Sequence, residues 1–293
     1  MTTHLPATTA THALTVISEP SRDGFLLTEL DGGARARVLY QRCAEARAQN
    51  LPSQDFAALQ VDVSGRALSF CVADGVGSSF RGDFAASYLA RRLVGWLSQL
   101  ATPLPSAEQA GASLTTDMTS WADAAREELA ALPVDPDAPA LVREVLEELR
   151  RDYGSETVYL GARLTLPDTA DVVEGLFCWM GNVSLRLQCA GDDEPLPFCA
   201  DDDSARWSTV RGPRGAVSVR RLSLHGLRRL IVHTDGAEAI GSEIGRLSDD
   251  DLQRRAAALL ETATSDDVTA LDLVWPERTT PDGAPGERKR AEP

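Results

Sequence analysis

Residues 56–90 read FAALQVDVSGRALSFCVADGVGSSFRGDFAASYLA. Residues 56–63 have the composition of a strand, Ser64-Gly65 is a turn signal, and 67–73 reads as the hairpin partner. A glycine-rich loop, 74–82, follows. Apolar residues then fall at Phe84, Tyr88, Leu89, Leu93, Trp96, Leu97 and Leu100, a spacing that places them on one face of a helix.

Further along the chain, helical stretches are predicted over 120–132 and 138–151, separated by a Pro-rich turn. Strands are predicted at 157–166, 172–180, 183–189, 216–222 and 229–234. A short helix is expected after Gly236, another over 249–262, and 268–274 (VTALDLV) closes the pattern as a strand. Strands arrive in consecutive runs with helices grouped between them, which predicts an α+β fold and argues against a Rossmann sheet. Residues 1–12 are Thr-rich and unpatterned, and 276–293 (PERTTPDGAPGERKRAEP) has no apolar face. Both are expected to be mobile or disordered, which leaves 13–275 as one domain.

Composition narrows the function. The chain of 293 residues carries 29 Lys+Arg against 44 Asp+Glu, a net charge of -15. Such a surface repels phosphate backbones and anionic lipid, and with aromatics at 5% it has little to stack bases on, so no nucleic-acid partner is expected. No apolar run is long enough for a membrane span. The first ten residues lack the basic start and apolar stretch of a secretion signal, so a cytoplasmic location is expected. Five cysteines without a CxxC pair predict neither a disulfide framework nor a thiolate zinc site, and Cys71 and Cys178, inside apolar runs, are expected in the core. There is no GxSxG elbow, P-loop or GxGxxG, and His233 reads as a strand-end histidine making one hydrogen bond.

What stands out is carboxylates at the tips of apolar strands. Asp55 starts one strand, Asp74 and Asp235 each follow one directly with a glycine behind, and Asp266 and Asp267 precede the last. Each alone reads as a turn or cap residue. Together at one sheet end they would repel one another unless a cation sat among them, and Mg²⁺ or Mn²⁺ suits oxygen-only ligands.

The segments PSQDF, VADGVGSSFRGDFAASYLA, YGSETVYLGARL, WMGNVSLRL, LIVHTDGAEAI and SDDVTALDLV, in that order from residue 52 to 274, resemble the successive motifs of the metal-dependent type 2C serine/threonine protein phosphatases, in their bacterial form. The resemblance implies a β-sandwich of two antiparallel sheets flanked by helices, with a two-metal Mg²⁺ or Mn²⁺ centre and, in some members, a third ion. By motif, Asp74 resembles the ligand that bridges both metals and the Gly75 carbonyl a ligand of the first. Asp55, Asp235 and Asp266 resemble ligands of the second, and Asp152 the third-ion ligand. The implied activity is hydrolysis of phosphoserine or phosphothreonine by a metal-bridged hydroxide. Implied partners are a phosphoprotein substrate and a cognate serine/threonine kinase or its targets. The sequence departs from the family in places. Asn50 stands where many members carry a phosphate-gripping arginine, which leaves Arg47 or Arg81 as substitutes and a catalytically weak or inactive partner-binding module as the alternative. Ser78, Asn182, Gln54 and Asp267 are further departures.

Overall fold

In the computed structural model, residues 3–4, 14–30, 33–166, 172–192, 196–198, 204–262 and 265–276 are described. The chain opens with four strands, β1 (Thr3–His4), β2 (Leu14–Ile17), β3 (Gly24–Glu29) and β4 (Arg35–Gln41), and a short helix, α1 (Ala44–Ala48). Strands β5 (Phe56–Val61) and β6 (Ala67–Gly75) precede three helices, α2 (Gly82–Ser98), α3 (Ala107–Ala130) and α4 (Ala140–Asp152). Next come β7 (Glu156–Thr165), β8 (Val172–Met180), β9 (Ser184–Cys189) and β10 (Leu196–Phe198). The small strands β11 (Arg206–Ser208) and β12 (Gly212–Arg214) lead to β13 (Ser218–His225) and β14 (Leu227–His233). A 3-10 turn (Asp235–Ala237), α5 (Glu238–Gly241), α6 (Asp249–Leu259) and β15 (Val268–Val274) follow.

The strands form two sheets. One has the order β1-β3-β4-β15-β14-β9-β10. The other runs β2-β5-β6-β7 and continues through β8 to β13, while β11 and β12 extend it from the first residues of β7. Every pairing is antiparallel except that of β1 with β3. Thr3 and His4, in the segment expected to be mobile, thus pair with Leu26 and Leu27; the rest of 1–12, and residues 277–293, lie outside the described residues.

Alternation of side chains along the strands builds three apolar layers. Val38, Leu59, Phe70, Val72, Leu160, Phe177, Leu230 and Leu271 fill the space between the sheets. On the outer face of the second sheet, Phe56, Cys71, Tyr159 and Trp207 pack under Leu89, Leu93, Leu114 and Met118 of α2 and α3. On the outer face of the first, Leu39, Ile231 and Val268 pack under Ile240, Ile244 and Leu252. Cys71 and Cys178 are buried as expected, and burial pushes the Cys178 thiol up to about 12. No helix among the described residues is long and apolar enough to cross a membrane.

Several elements differ from the sequence reading. α3 begins at Ala107, well before 120, on a Ser106–Gln109 capping box that outweighs its Thr-rich, weakly periodic first half. β6 does not stop at Ala73: Asp74 and Gly75 stay in the ladder, opposite Val158 and Thr157. β2 to β4 and β10 to β12 were not predicted. In β4, the buried Arg37 interrupts the apolar pattern by which a strand is read. Its guanidinium meets the equally buried Asp272 of β15 and donates to Ile244 O and Leu247 O, while Arg229 holds the other Asp272 oxygen at 3.0 Å. This network fastens the α5–α6 connection to the sheet. Removing one partner of such a pair leaves an uncompensated buried charge. Arg37→Met is therefore expected to destabilise the fold by about 3 kcal/mol, less than the loss of an isolated pair because Arg229 remains. The midpoint of a urea melt measures this, and a shift under about 1 kcal/mol would show the network to be dispensable.

Candidate metal centre

Two of the aspartates come from each sheet. Asp55 immediately precedes β5 and Asp74 lies in β6, and both side chains are on the inter-sheet side, since their i±2 neighbours Ala57 and Val72 lie in that core. Asp235 and Asp266 flank the adjacent ends of β14 and β15 on the facing sheet. The sheets are joined here by a direct bond. Thr234 Oγ1 donates to Asp55 Oδ2 at 2.7 Å and accepts from Thr269 N at 3.1 Å.

Asp267 holds the arrangement from behind. Its Oδ1 accepts the Cys43 N–H and its Oδ2 the Gln54 N–H, each at 2.6 Å, so one buried carboxylate grips both ends of the α1 connection. Gln54 in turn gives its carbonyl to Gly75 N at 3.1 Å, and Thr157 Oγ1 donates to Asp74 O at 2.6 Å. Two glycines are demanded by proximity. A Cβ on Gly236 would lie 2.0 Å from Asp267 O, and one on Gly75 2.4 Å from the Gly82 carbonyl carbon. The loop after β14 and the start of α2 can approach the site only because these positions have no side chain.

The electrostatics are one-signed. Asp55 is 3% exposed. Its carboxyl is raised well above the usual range by burial first, then by Asp74 and Asp267, against the Thr234 bond that favours the charged form. Asp74 is also raised well above, by burial and then by Asp235, Asp266 and Asp267, and is hydrogen-bonded to Asp55. Asp266 is raised by burial and by Asp235 and Asp267, against the bond from its neighbour's N–H. Among the described residues, no arginine or lysine forms an ion pair with Asp55, Asp74, Asp235 or Asp266.

This donor set fits a hard divalent cation, because it is all oxygen, excess negative charge, and half out of water. The fit is that of an open site rather than a finished cage. Asp235 and Asp266 are exposed at the rim, and among the described residues no three acid, histidine or cysteine side chains already enclose a point. Asp152, expected for a third ion, is exposed at the end of α4 and held by Arg151 at 2.8 and 3.1 Å. That pair lowers its pKa, and Asp152 is not among the groups perturbing Asp55, Asp74 or Asp266.

The two arginines expected to stand in for Asn50 are both engaged. Arg47 Nε meets Asp23 at 3.0 Å, and Arg81 forks onto Asp83 with two bonds of 2.9 Å. His233 is buried, with Nδ1 3.0 Å from Thr234 O, as a strand-end histidine should be. Thr234, Asp267 and Thr157 were not singled out as site residues. For the first two, adjacency to Asp235 and Asp266 was the available signal; the role of Thr157 follows only from strand register.

The profile of the family described as Protein phosphatase 2C matches residues 42–272. No curated protein matches the sequence significantly. Among solved structures, the serine/threonine phosphatase Stp1 from Staphylococcus aureus is 10% identical, with 84% of this chain and 97% of that one covered at a TM-score of 0.53. The serine-threonine phosphatase 2C from Toxoplasma gondii is 13% identical over 90% and 99%, at 0.52. RsbX in complex with magnesium is 13% identical over 86% and 99%, at 0.51. At these identities the structures speak for the fold, a helix-flanked double sheet, and the profile match, over most of the chain, for the lineage: this chain belongs to the protein phosphatase 2C family.

Proposed function

We infer that the protein is a metal-dependent serine/threonine protein phosphatase acting on phosphoproteins, with Mg²⁺ or Mn²⁺ at the carboxylate end of the sandwich. The observation that carries this reading is the Asp55–Asp74 pair, each raised by burial and by neighbouring carboxylates and, among the described residues, in no ion pair with an arginine or lysine. When bound, two divalent cations would make a water nucleophilic near neutral pH and neutralise charge on the phosphoryl oxygens.

The chain's own groups supply the rest. Asp74, which feels Asp235 and Asp266 from the facing sheet and is bonded to Asp55, would be the shared ligand. Gly75 ends β6 with its backbone pressed against Gly82, where no side chain would fit. Thr234 fixes the orientation of Asp55 and favours its charged form. Asp267 does not need to touch a metal. By gripping Gln54 N it sets where Asp55 begins, and its own backbone N–H fixes Asp266 Oδ1 at 2.8 Å.

Three outcomes are expected. Mn²⁺ at 100 times its dissociation constant should stabilise the folded protein by about 2.7 kcal/mol, read as a rise in Tm; no rise at millimolar Mn²⁺ would rule out the site. Asp74→Ala should lower turnover of a phosphothreonine peptide at least ~100-fold, the scale of losing a principal electrostatic group. The same variant should be no less stable than the parent without metal, because one of two repelling buried carboxyls is gone. Near-parental kcat in folded Asp74→Ala protein would sink the mechanism, while a parent that binds Mn²⁺ without turning over peptide would support the partner-binding alternative. Asp267→Ala should cost about 3 kcal/mol, since two N–H groups lose a charged acceptor. It should also weaken Mn²⁺ binding, whereas Asp267→Asn, with one acceptor oxygen, should fall between; calorimetry on the three proteins orders them.

A further inference from the structure

Glu156 begins β7, one residue before the threonine that holds the Asp74 carbonyl. It is bound into the loop after Asp74 on both sides of its backbone: its carbonyl accepts Val76 N at 2.9 Å and its N–H donates to Ser79 Oγ at 3.1 Å. Asp74 pairs with Val158, so Glu156, two residues away, lies on the same face of the sheet and diagonal to Asp74. Diagonal neighbours of this kind are about 7–8 Å apart. Glu156 therefore lies on the inter-sheet face as a diagonal neighbour of Asp74, although its side chain is only 7% exposed.

Two guanidinium groups converge on this one carboxylate. Arg214 Nη1 meets Oε1 at 2.5 Å and Arg206 Nη1 lies 3.6 Å from Oε2. Arg206 and Arg214 are direct partners across the β11–β12 hairpin. Like charges opposite one another on adjacent strands are destabilising, and one carboxylate leaves the trio with a net charge of +1. The arginine side chains keep 29% and 38% of their surface exposed, so donors remain to receive a further anion. Trp207, between them in the hairpin, is fully buried under α2 and α3, which fixes the hairpin in place. Arg206 and Arg214 thus form a surplus-cation group around a diagonal neighbour of Asp74, whereas Arg81 faces an acid of its own and Arg47 shares Asp23 with Arg42.

We propose that Arg206 and Arg214, positioned by Glu156, grip the phosphoryl group of the substrate in place of the arginine absent at Asn50. This rests on the phosphatase reading above. The two guanidinium forks supply charge-assisted bonds to non-bridging phosphoryl oxygens, so they act in binding and leave the reacting water to the carboxylate end.

The test is steady-state kinetics of the full-length protein with Mn²⁺ on a phosphothreonine peptide and on p-nitrophenyl phosphate, which has no flanking residues. The Arg206→Gln/Arg214→Gln variant should raise KM on both substrates by about tenfold or more, the equivalent of at least one bond to a charged group, with kcat within about threefold. Unchanged KM on both in a folded variant overturns the proposal; a rise on the peptide alone also overturns it, since the arginines would then read the peptide and not the phosphoryl group. The Arg206→Lys/Arg214→Lys variant should recover part of the loss, which a merely structural role for the pair does not predict. Should the glutamine variant fail to fold, Glu156→Gln decides. Freed of their shared carboxylate, the arginines should lower KM for p-nitrophenyl phosphate, and an unchanged or raised KM overturns the proposal. Absence of turnover by the parent would refute the phosphatase reading instead. Titration with inorganic phosphate in the presence of Mn²⁺ then decides: tenfold weaker binding by the double variant supports the grip, and equal binding removes it.

Discussion

Asp267 connects three distant parts of the chain at one point. Its two oxygens take the N–H groups of Cys43 and Gln54, so the start of β15, the end of β4 and the beginning of β5 meet at one carboxylate. β4 and β15 belong to one sheet and β5 to the other. The separation of the sheets at this end is therefore set by a charged residue accepting two short, charge-assisted bonds, which are about twice as strong as neutral ones. The Asp55–Thr234 bond spans the same gap, and the glycine at 236 lets the loop after β14 lie directly on the Asp267 backbone. A weaker clamp would let the two sheets move apart where their carboxylates repel.

That repulsion is the thermodynamic cost of the site. Burying Asp55 and Asp74 side by side raises both pKa values, which means the folded protein resists their ionisation. Without a cation, the pair gains by sharing a proton; with one, both can ionise in place. Stability given up at a functional site is recovered elsewhere. Here the inter-sheet core and the two helix-covered faces supply the apolar burial, and the Arg37–Asp272–Arg229 network secures the sheet behind α6.

The sequence made some of this visible and hid the rest for physical reasons. The β5–β6 hairpin and α2 could be read because alternation, a Ser-Gly turn and a helical apolar stripe all agree over 56–100. The strand 268–274 was legible in the same way. β4 was not, since Arg37 sits where an apolar residue would mark the strand, whereas β13 (SVRRLSLH) was anticipated over 216–222 although half of its residues are exposed. At the site, the four carboxylates proposed as ligands could be singled out because each lies in or within two residues of the tip of an apolar strand. Glu156, Arg206 and Arg214 could not be found that way. What relates them to Asp74 is register across β6, β7 and β11, and no local pattern encodes register between residues some 50 positions apart or more.

The position of β15 has a consequence for synthesis. It is the last strand described, yet it lies inside its sheet, between β4 and β14. Until it emerges from the ribosome, β4 and β14 have no common neighbour and Asp55 lacks Asp266 and Asp267. Roughly 200 residues separate Asp55 from these two, an interval of about 10–40 s at typical elongation rates. During that time the nascent chain carries an exposed sheet edge and an incomplete carboxylate cluster. The carboxylate end can therefore assemble only after β15 has been made.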